Sequence, residues 1–131
     1  MQKTKIYKDS YQLMICIFNR TKSFPKFYRP TLGRRLEENS LDLTQFIAHA
    51  LMLPVGDKTS NSQFVSQRKT VLLKASLVLD QMRVLFNLSK DLQILPVAGF
   101  EELTVQSREV GRELGGLIKY SKSNLKEDFL K

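Results

Sequence analysis

Of its 131 residues the chain spends one on cysteine, one on histidine and none on tryptophan. A lone thiol, Cys16, excludes an internal disulfide and any metal site built from several cysteines; flanked by Ile15 and Ile17, it reads as a small buried apolar residue. His49 stands in QFIAHAL with no carboxylate three or four positions away, so it reads as a core or boundary residue and not as a general base. Glycine-rich phosphate loops are missing: Gly33 has no companions, and the Gly115-Gly116 pair falls inside a helical stretch instead of ahead of one. No apolar run approaches the ~18 residues needed to cross a bilayer, and the start MQKTKIYKDS lacks the apolar core of a signal peptide. A cytoplasmic protein without a membrane partner is the expectation. Strand alternation, internal repeats and low-complexity tracts are also absent, and neither an acid–base pair nor a metal set is visible, so a non-enzymatic protein without a cofactor is expected.

What is present is helical periodicity. The spacing predicts four helices, over about 5–22, 32–53, 61–92 and 100–121, with a tail at 122–131. The expected fold class is all-α, an antiparallel up-and-down four-helix bundle in a single domain. In the first helix Tyr7, Tyr11, Met14, Ile15 and Phe18 recur at steps of three and four. Leu13 to Phe18 is apolar without a break, which predicts neighbours on more than one side. The second helix should bury Leu32, Leu36, Leu43, Ile47, Ala50 and Leu51, and end at Pro54 and Gly56.

Ser60 and Gln63 have the spacing of a capping box and should open the third helix. Its core stripe is Val71, Leu72, Ala75, Val78, Leu79, Met82, Leu85 and Phe86. Leu73, Leu77 and Val84 fall near the opposite side, where either the first helix or another subunit must cover them; they are the candidate oligomer interface. Phe100, Leu103, Ser107, Val110, Gly111, Leu114 and Ile118 share the inward face of the fourth helix, and Gly111 and Gly115, one turn apart, predict a close neighbour there.

Charge is one-sided in placement. The net charge is +8, with nine basic residues against one acid up to Arg35 and twelve against twelve from Leu36 on. The imbalance is therefore assigned to the first helix and the connector that follows it, FPKFYRPTLGRRL. Pro25 and Pro30 fix φ and disfavour helix in the residues before them, so the connector is expected to be stiff and extended until Thr31 or Leu32. Lys22, Lys26, Arg29, Arg34 and Arg35 are the first candidates for phosphate contacts, with Arg20, Arg112 and Lys119 behind them. Phe24, Phe27 and Tyr28 lie between these cations, placed either to stack on unpaired bases or to plug the end of the core. Glu37, Glu38 and Asp42 lie one turn after Arg34 and Arg35 and are expected to pair with them. No recognition-helix motif or zinc finger is present, so shape-selective RNA binding fits better than base-by-base readout of a duplex.

The string Phe24-Pro25-Lys26, then Arg29, then Thr31-Leu32-Gly33 before a helix resembles the opening motif of bacterial four-helix-bundle proteins related to the accessory variability determinant (Avd) of diversity-generating retroelements. The stretch from Val110 to Ser121, VGRELGGLIKYS, is similar to that family's closing helix, with Leu117 where the family often has tryptophan. Together the two matches frame the chain from about Tyr7 to Ser121. The resemblance implies a basic, barrel-like homopentamer that binds a reverse transcriptase and structured RNA or an RNA–DNA hybrid, as an accessory to mutagenic retrohoming. The alternatives are a protein–protein scaffold whose basic face meets an acidic partner, or a bundle of the related type encoded in ribosomal RNA intervening sequences, without a reverse transcriptase.

Overall fold

In a computed structural model, which describes residues 4–53 and 62–130, the chain forms four α-helices. They are α1 (Lys5–Thr21), α2 (Arg34–Met52), α3 (Ser62–Asp91) and α4 (Val97–Leu130), with a π-helical turn, Arg29–Gly33, ahead of α2. Side chains are described through residue 120, except those of 62–65. No strand occurs among the described residues. The expected ends at Pro54 and Gly56 and the Ser60/Gln63 cap lie outside the described residues. α1 packs against α2 and α4, and α3 packs against the same two, so α1 and α3 stand on a diagonal of the four-helix bundle.

Each helix boundary has a local cause. Thr4 caps α1 by accepting the Tyr7 backbone N–H at 3.3 Å. α3 stops where Gln93 takes a positive φ of 63° and the N–H groups of Ile94 and Leu95 both turn back to the Ser89 carbonyl, at 3.0 and 3.1 Å. Such a left-handed residue satisfies carbonyls that the helix end would otherwise leave bare. Pro96 then accepts the Phe100 N–H at 2.9 Å, opening α4 three residues before the expected start. The expected tail from residue 122 is also helical in its backbone, since α4 continues to Leu130.

The core stripe of α3 follows the expectation, with Val71, Leu72, Ala75, Leu79, Met82 and Phe86 buried and Val78 and Leu85 half-buried. α1 does not. Its buried residues are Ile6, Ser10, Leu13, Ile17 and Thr21, whereas Tyr11 and Ile15 are exposed and Tyr7, Met14 and Phe18 half-buried. The inward face is centred roughly 100° away from the one that the large side chains mark. Small hydroxyl residues make this possible because they carry their own hydrogen-bond partner inward: Ser10 Oγ donates to the Tyr7 carbonyl at 3.0 Å, and Thr44 Oγ1 of the facing helix to the Ser40 carbonyl at 2.9 Å. A hydroxyl satisfied within its own turn is buried at little cost.

Gly111 and Gly115 differ. A Cβ on Gly111 would collide with the Arg83 guanidinium, which crosses from α3 to donate to the Ser107 carbonyl at 3.1 Å. Gly115 and Gly116 face open space, and what comes close at Gly111 is the Arg83 and Leu79 side chains instead of the expected neighbouring backbone. His49 is exposed in the last turn of α2, so it is not the core residue that was one of the two expectations for it.

Candidate nucleic-acid interface

The connector is not extended. Tyr28 and Arg29 both donate backbone N–H groups to the Pro25 carbonyl, at 2.8 and 3.2 Å, and the π-helical turn then delivers the chain into α2. Pro30 lies in the first turn of that element, where its missing N–H and preset φ cost nothing. Extension loses because the helical turns recover backbone hydrogen bonds that a straight segment would leave to water.

Folding the connector sorts its cations. Arg29 folds back on the chain: Nε donates to the Phe24 carbonyl at 3.0 Å and Nη2 to the Lys22 carbonyl at 2.9 Å, so it ties the end of α1 to the turn. It stays exposed, with two of its donors committed to backbone. Arg20 pairs with Glu102 of α4 at 3.2 Å. Arg34 pairs with Glu38 at 2.9 Å, as the spacing predicts, but Glu37 turns to the Thr21 hydroxyl instead of to Arg35. Lys26 and Arg35 are exposed, and neither has a hydrogen bond or ion pair among the described residues; Lys22 touches only Asn19, at 3.4 Å.

The aromatic residues divide in the same way. Phe24 is a buried core residue and plugs the bundle end. Phe27 is 78% exposed and meets Tyr28 edge-on, with ring centroids 5.1 Å apart. Lys22, Lys26 and the bare ring of Phe27 therefore stand together on the α1–α2 connection.

Arg34 and Arg35 open onto a groove of about 730 Å³ between the π-helical turn and α3. Leu32, Val84 and Leu85 supply apolar wall, and Asn39 and Gln81 supply neutral amides. Asn39 is only 6% exposed, and its side-chain nitrogen has no acceptor among the described residues. A buried donor left unpaired costs about 1–3 kcal/mol, so it marks a place where another group belongs. Neither Lys22 nor Lys26 lines this groove. The expected cations thus fall into two neighbouring sets, one at the connector and one at the groove.

Charge is also redistributed along α1. Lys5 Nζ donates to Asp9 at 3.0 Å and to Glu109 and Glu113 of α4 at 2.8 Å each. With Arg20–Glu102, this means that acids of α4 neutralise α1, and the positive excess is not confined to the first 35 residues. Arg112 pairs with Glu109 at 2.6 Å, while Arg108 and Lys119 are exposed without a partner among the described residues. Asp9, Glu109 and Glu113 bring carboxylate oxygens within 4.8 Å of one another, a set that fits a cation, and the Lys5 ammonium occupies that place.

These neighbours set the protonation of the cluster. The hydrogen bonds that Lys5 donates to Glu109, Glu113 and Asp9 raise its pKa above its ordinary value. Lys5 and Arg112 hold the Glu109 carboxyl below its usual range, whereas burial pushes that of Glu113 up against the pull of Lys5. Glu109 therefore contributes stability above the ordinary carboxylate pKa that is lost as pH falls through its depressed value. Glu113 has the opposite sign, because the folded chain takes its proton first and acidification relieves its burial. Lys5 contributes below the ordinary lysine pKa and ceases to as pH rises through its raised value. Removing the ammonium leaves three carboxylates facing each other, so Lys5→Met is expected to melt below the parent at about pH 7, with the gap narrowing toward about pH 5 as the carboxyls take up protons. Thermal melts at the two pH values measure it, and a gap of constant size would contradict this account.

The sequence marked Lys22, Lys26, Arg34 and Arg35 by charge alone. It missed Asn39 and Gln81, for which a polar residue on an otherwise apolar helix face was the one available signal. No protein-family model matches the chain, and no curated protein matches it.

Proposed function

We propose that the protein is a non-enzymatic nucleic-acid-binding accessory of the Avd type, which holds structured RNA or an RNA–DNA hybrid on the basic end of the bundle and partners a reverse transcriptase. The observation that carries the reading is a set of exposed cations without an ion pair among the described residues: Lys22 and Lys26 on the connector, which also carries the exposed Phe27 ring, and Arg35 at the groove. Fixed cations next to an exposed aromatic ring combine phosphate neutralisation with a stacking surface. The reverse transcriptase enters through the family resemblance of the two motifs.

An antiparallel arrangement is supported by the pairings between helices. Thr21 meets Glu37 while Ser10 meets Thr44, and Arg20 meets Glu102 while Lys5 meets Glu109 and Glu113. In each pair the residue numbers run in opposite directions.

A homo-oligomeric ring is supported by two apolar stripes. On the outward face of α3, Leu73, Leu77, Val84 and Leu88 are 45, 60, 66 and 42% exposed, and the diagonal position of α1 leaves them uncovered by it. On α1, Tyr7, Tyr11, Met14, Ile15 and Phe18 form the second. Monomers rarely leave contiguous apolar strips in water, and two unlike strips on different sides of one protomer fit head to tail, the arrangement that closes into rings. A protein-only scaffold shares these stripes but gives the connector cations no counterpart.

The test is a salt titration of binding to a labelled structured RNA. The parent's affinity should fall steeply with salt, and replacing Lys22, Lys26, Arg34 and Arg35 by Ala should weaken binding more than tenfold and flatten the log–log slope by about three to four. A quadruple variant that binds as tightly as the parent would remove the reading.

A further inference from the structure

We propose that the groove between the π-helical turn and α3 receives one unpaired nucleotide, its phosphate on Arg34 and Arg35 and its base against Leu32 and Leu85. This rests on the nucleic-acid reading above and adds to it a defined pocket and a defined ligand, an extrahelical nucleotide at a bulge or loop.

Three features carry the inference. The first is chemistry of the right kinds in one place. Two guanidiniums, an apolar wall and the neutral amides of Asn39 and Gln81 share the lining with Glu38, whose carboxylate is held by Arg34. A nucleotide presents the same sequence of groups: an anion, an apolar base face and a hydrogen-bonding base edge. The second is Asn39, a residue of this lining only 6% exposed whose amide nitrogen has no acceptor among the described residues, a lack that a base carbonyl or ring nitrogen would meet once the side chain turns to the groove. The third is space, since about 730 Å³ falls in the range of pockets that enclose small organic ligands.

The backbone decides which groups hold the phosphate. The Arg34 N–H is already engaged by the Arg29 and Thr31 carbonyls, so the start of α2 does not offer it to an anion. Side chains must do the work. Arg35 is uncommitted among the described residues, and Arg34 spends Nε on Glu38, leaving its terminal nitrogens for a ligand. The π-helical turn supplies Pro30, Thr31 and Leu32 to the groove edge, and π-turns inserted at helix ends recur at binding sites.

An acidic peptide would also suit the two arginines, so the test separates a base from a mere anion. Binding of the full chain is measured by fluorescence anisotropy to three RNA hairpins: fully paired, with a one-nucleotide bulge, and with an abasic residue at the bulge, which keeps the phosphate and removes the base. The bulged hairpin should bind at least tenfold tighter than the abasic one. Gln81→Trp, which fills the groove from an exposed position, should bring the bulged hairpin to the abasic level with the light-scattering mass and helical circular dichroism of the parent unchanged. Equal, salt-sensitive binding of bulged and abasic hairpins overturns the nucleotide pocket and leaves the basic end intact as an RNA surface. No binding of any hairpin removes the nucleic-acid reading itself. Binding of an acidic, apolar peptide that Gln81→Trp abolishes, with no effect of the base, replaces the nucleotide by a protein partner and also overturns the proposal.

Discussion

Arg68→Ala is expected to lower the unfolding free energy by about 2–4 kcal/mol, in a chain of the size that usually has ~5–15 in total. Arg68 is 5% exposed, and its Nη1 donates to the Ala50 and Leu53 carbonyls, at 2.7 and 3.2 Å. Those carbonyls belong to the last turn of α2 and its cap, where a helix leaves acceptors without intrahelical donors. A guanidinium reaching across from α3 closes that end and joins two helices by a charged donor. Burial works against it: desolvation lowers the Arg68 pKa, and Nε has no acceptor among the described residues. Dehydrating the cation thus offsets part of what the two charge-assisted bonds contribute.

Two further substitutions separate the terms. Arg68→Met keeps most of the volume and removes the donor, so it reports the bonds without a large cavity, and a loss of about 1.5–3 kcal/mol is expected. Arg68→Lys keeps the charge but cannot fork between two carbonyls, and should fall between Met and the parent. Urea unfolding at one fixed protein concentration measures all three, since the proposed assembly would make apparent stability depend on concentration. Arg68→Met as stable as the parent would mean that dehydration cancels the bonds and that the arginine is there for a reason other than stability.

Arg68 also shows what could be read from the chain and what could not. Four helices and the α3 core stripe follow from the spacing of large apolar residues, because a continuous row such as Leu72, Leu79, Met82 and Phe86 has one way to be buried. α1 misleads the same reasoning. Its large residues mark Tyr7, Tyr11, Met14, Ile15 and Phe18, yet the bundle is built on Ile6, Ser10, Leu13, Ile17 and Thr21, which pack closely because Ser10 and Thr21 are small and satisfy their hydroxyls locally. A scale that counts hydroxyl residues as polar places them outside. Pairings between helices were illegible for a different reason. Lys5 with Glu109 and Glu113, or Arg20 with Glu102, requires the register of two helices some hundred residues apart, and spacing along one helix carries no information about it. At the candidate interface charge counting found the cations but not their fate. Only the fold decides that Arg29 binds backbone while Arg35 faces the groove.

Leu77→Glu is expected to abolish assembly while leaving the protomer folded. Leu77 is 60% exposed on α3, so in the protomer a glutamate there meets water and costs little. In the proposed ring the same carboxylate would be shut against an apolar stripe without a partner, at about 3–5 kcal/mol per interface, or roughly two to four orders of magnitude in the association constant. Light scattering should give a protomer mass with unchanged helical circular dichroism. Ile15→Glu should do the same from the other side, because Ile15 belongs to the α1 stripe. The mixture of the two variants is the sharper experiment. If α1 of one copy meets α3 of the next, the Leu77→Glu protomer retains a sound α1 stripe and the Ile15→Glu protomer a sound α3 stripe. The pair should then form a heterodimer that cannot grow, since its two remaining faces each carry a glutamate. If α3 met α3 across a two-fold axis, Ile15→Glu would assemble by itself and the mixture would contain nothing new. A parent of strictly protomer mass would remove the ring altogether and return both stripes to the list of surfaces that a different partner must cover.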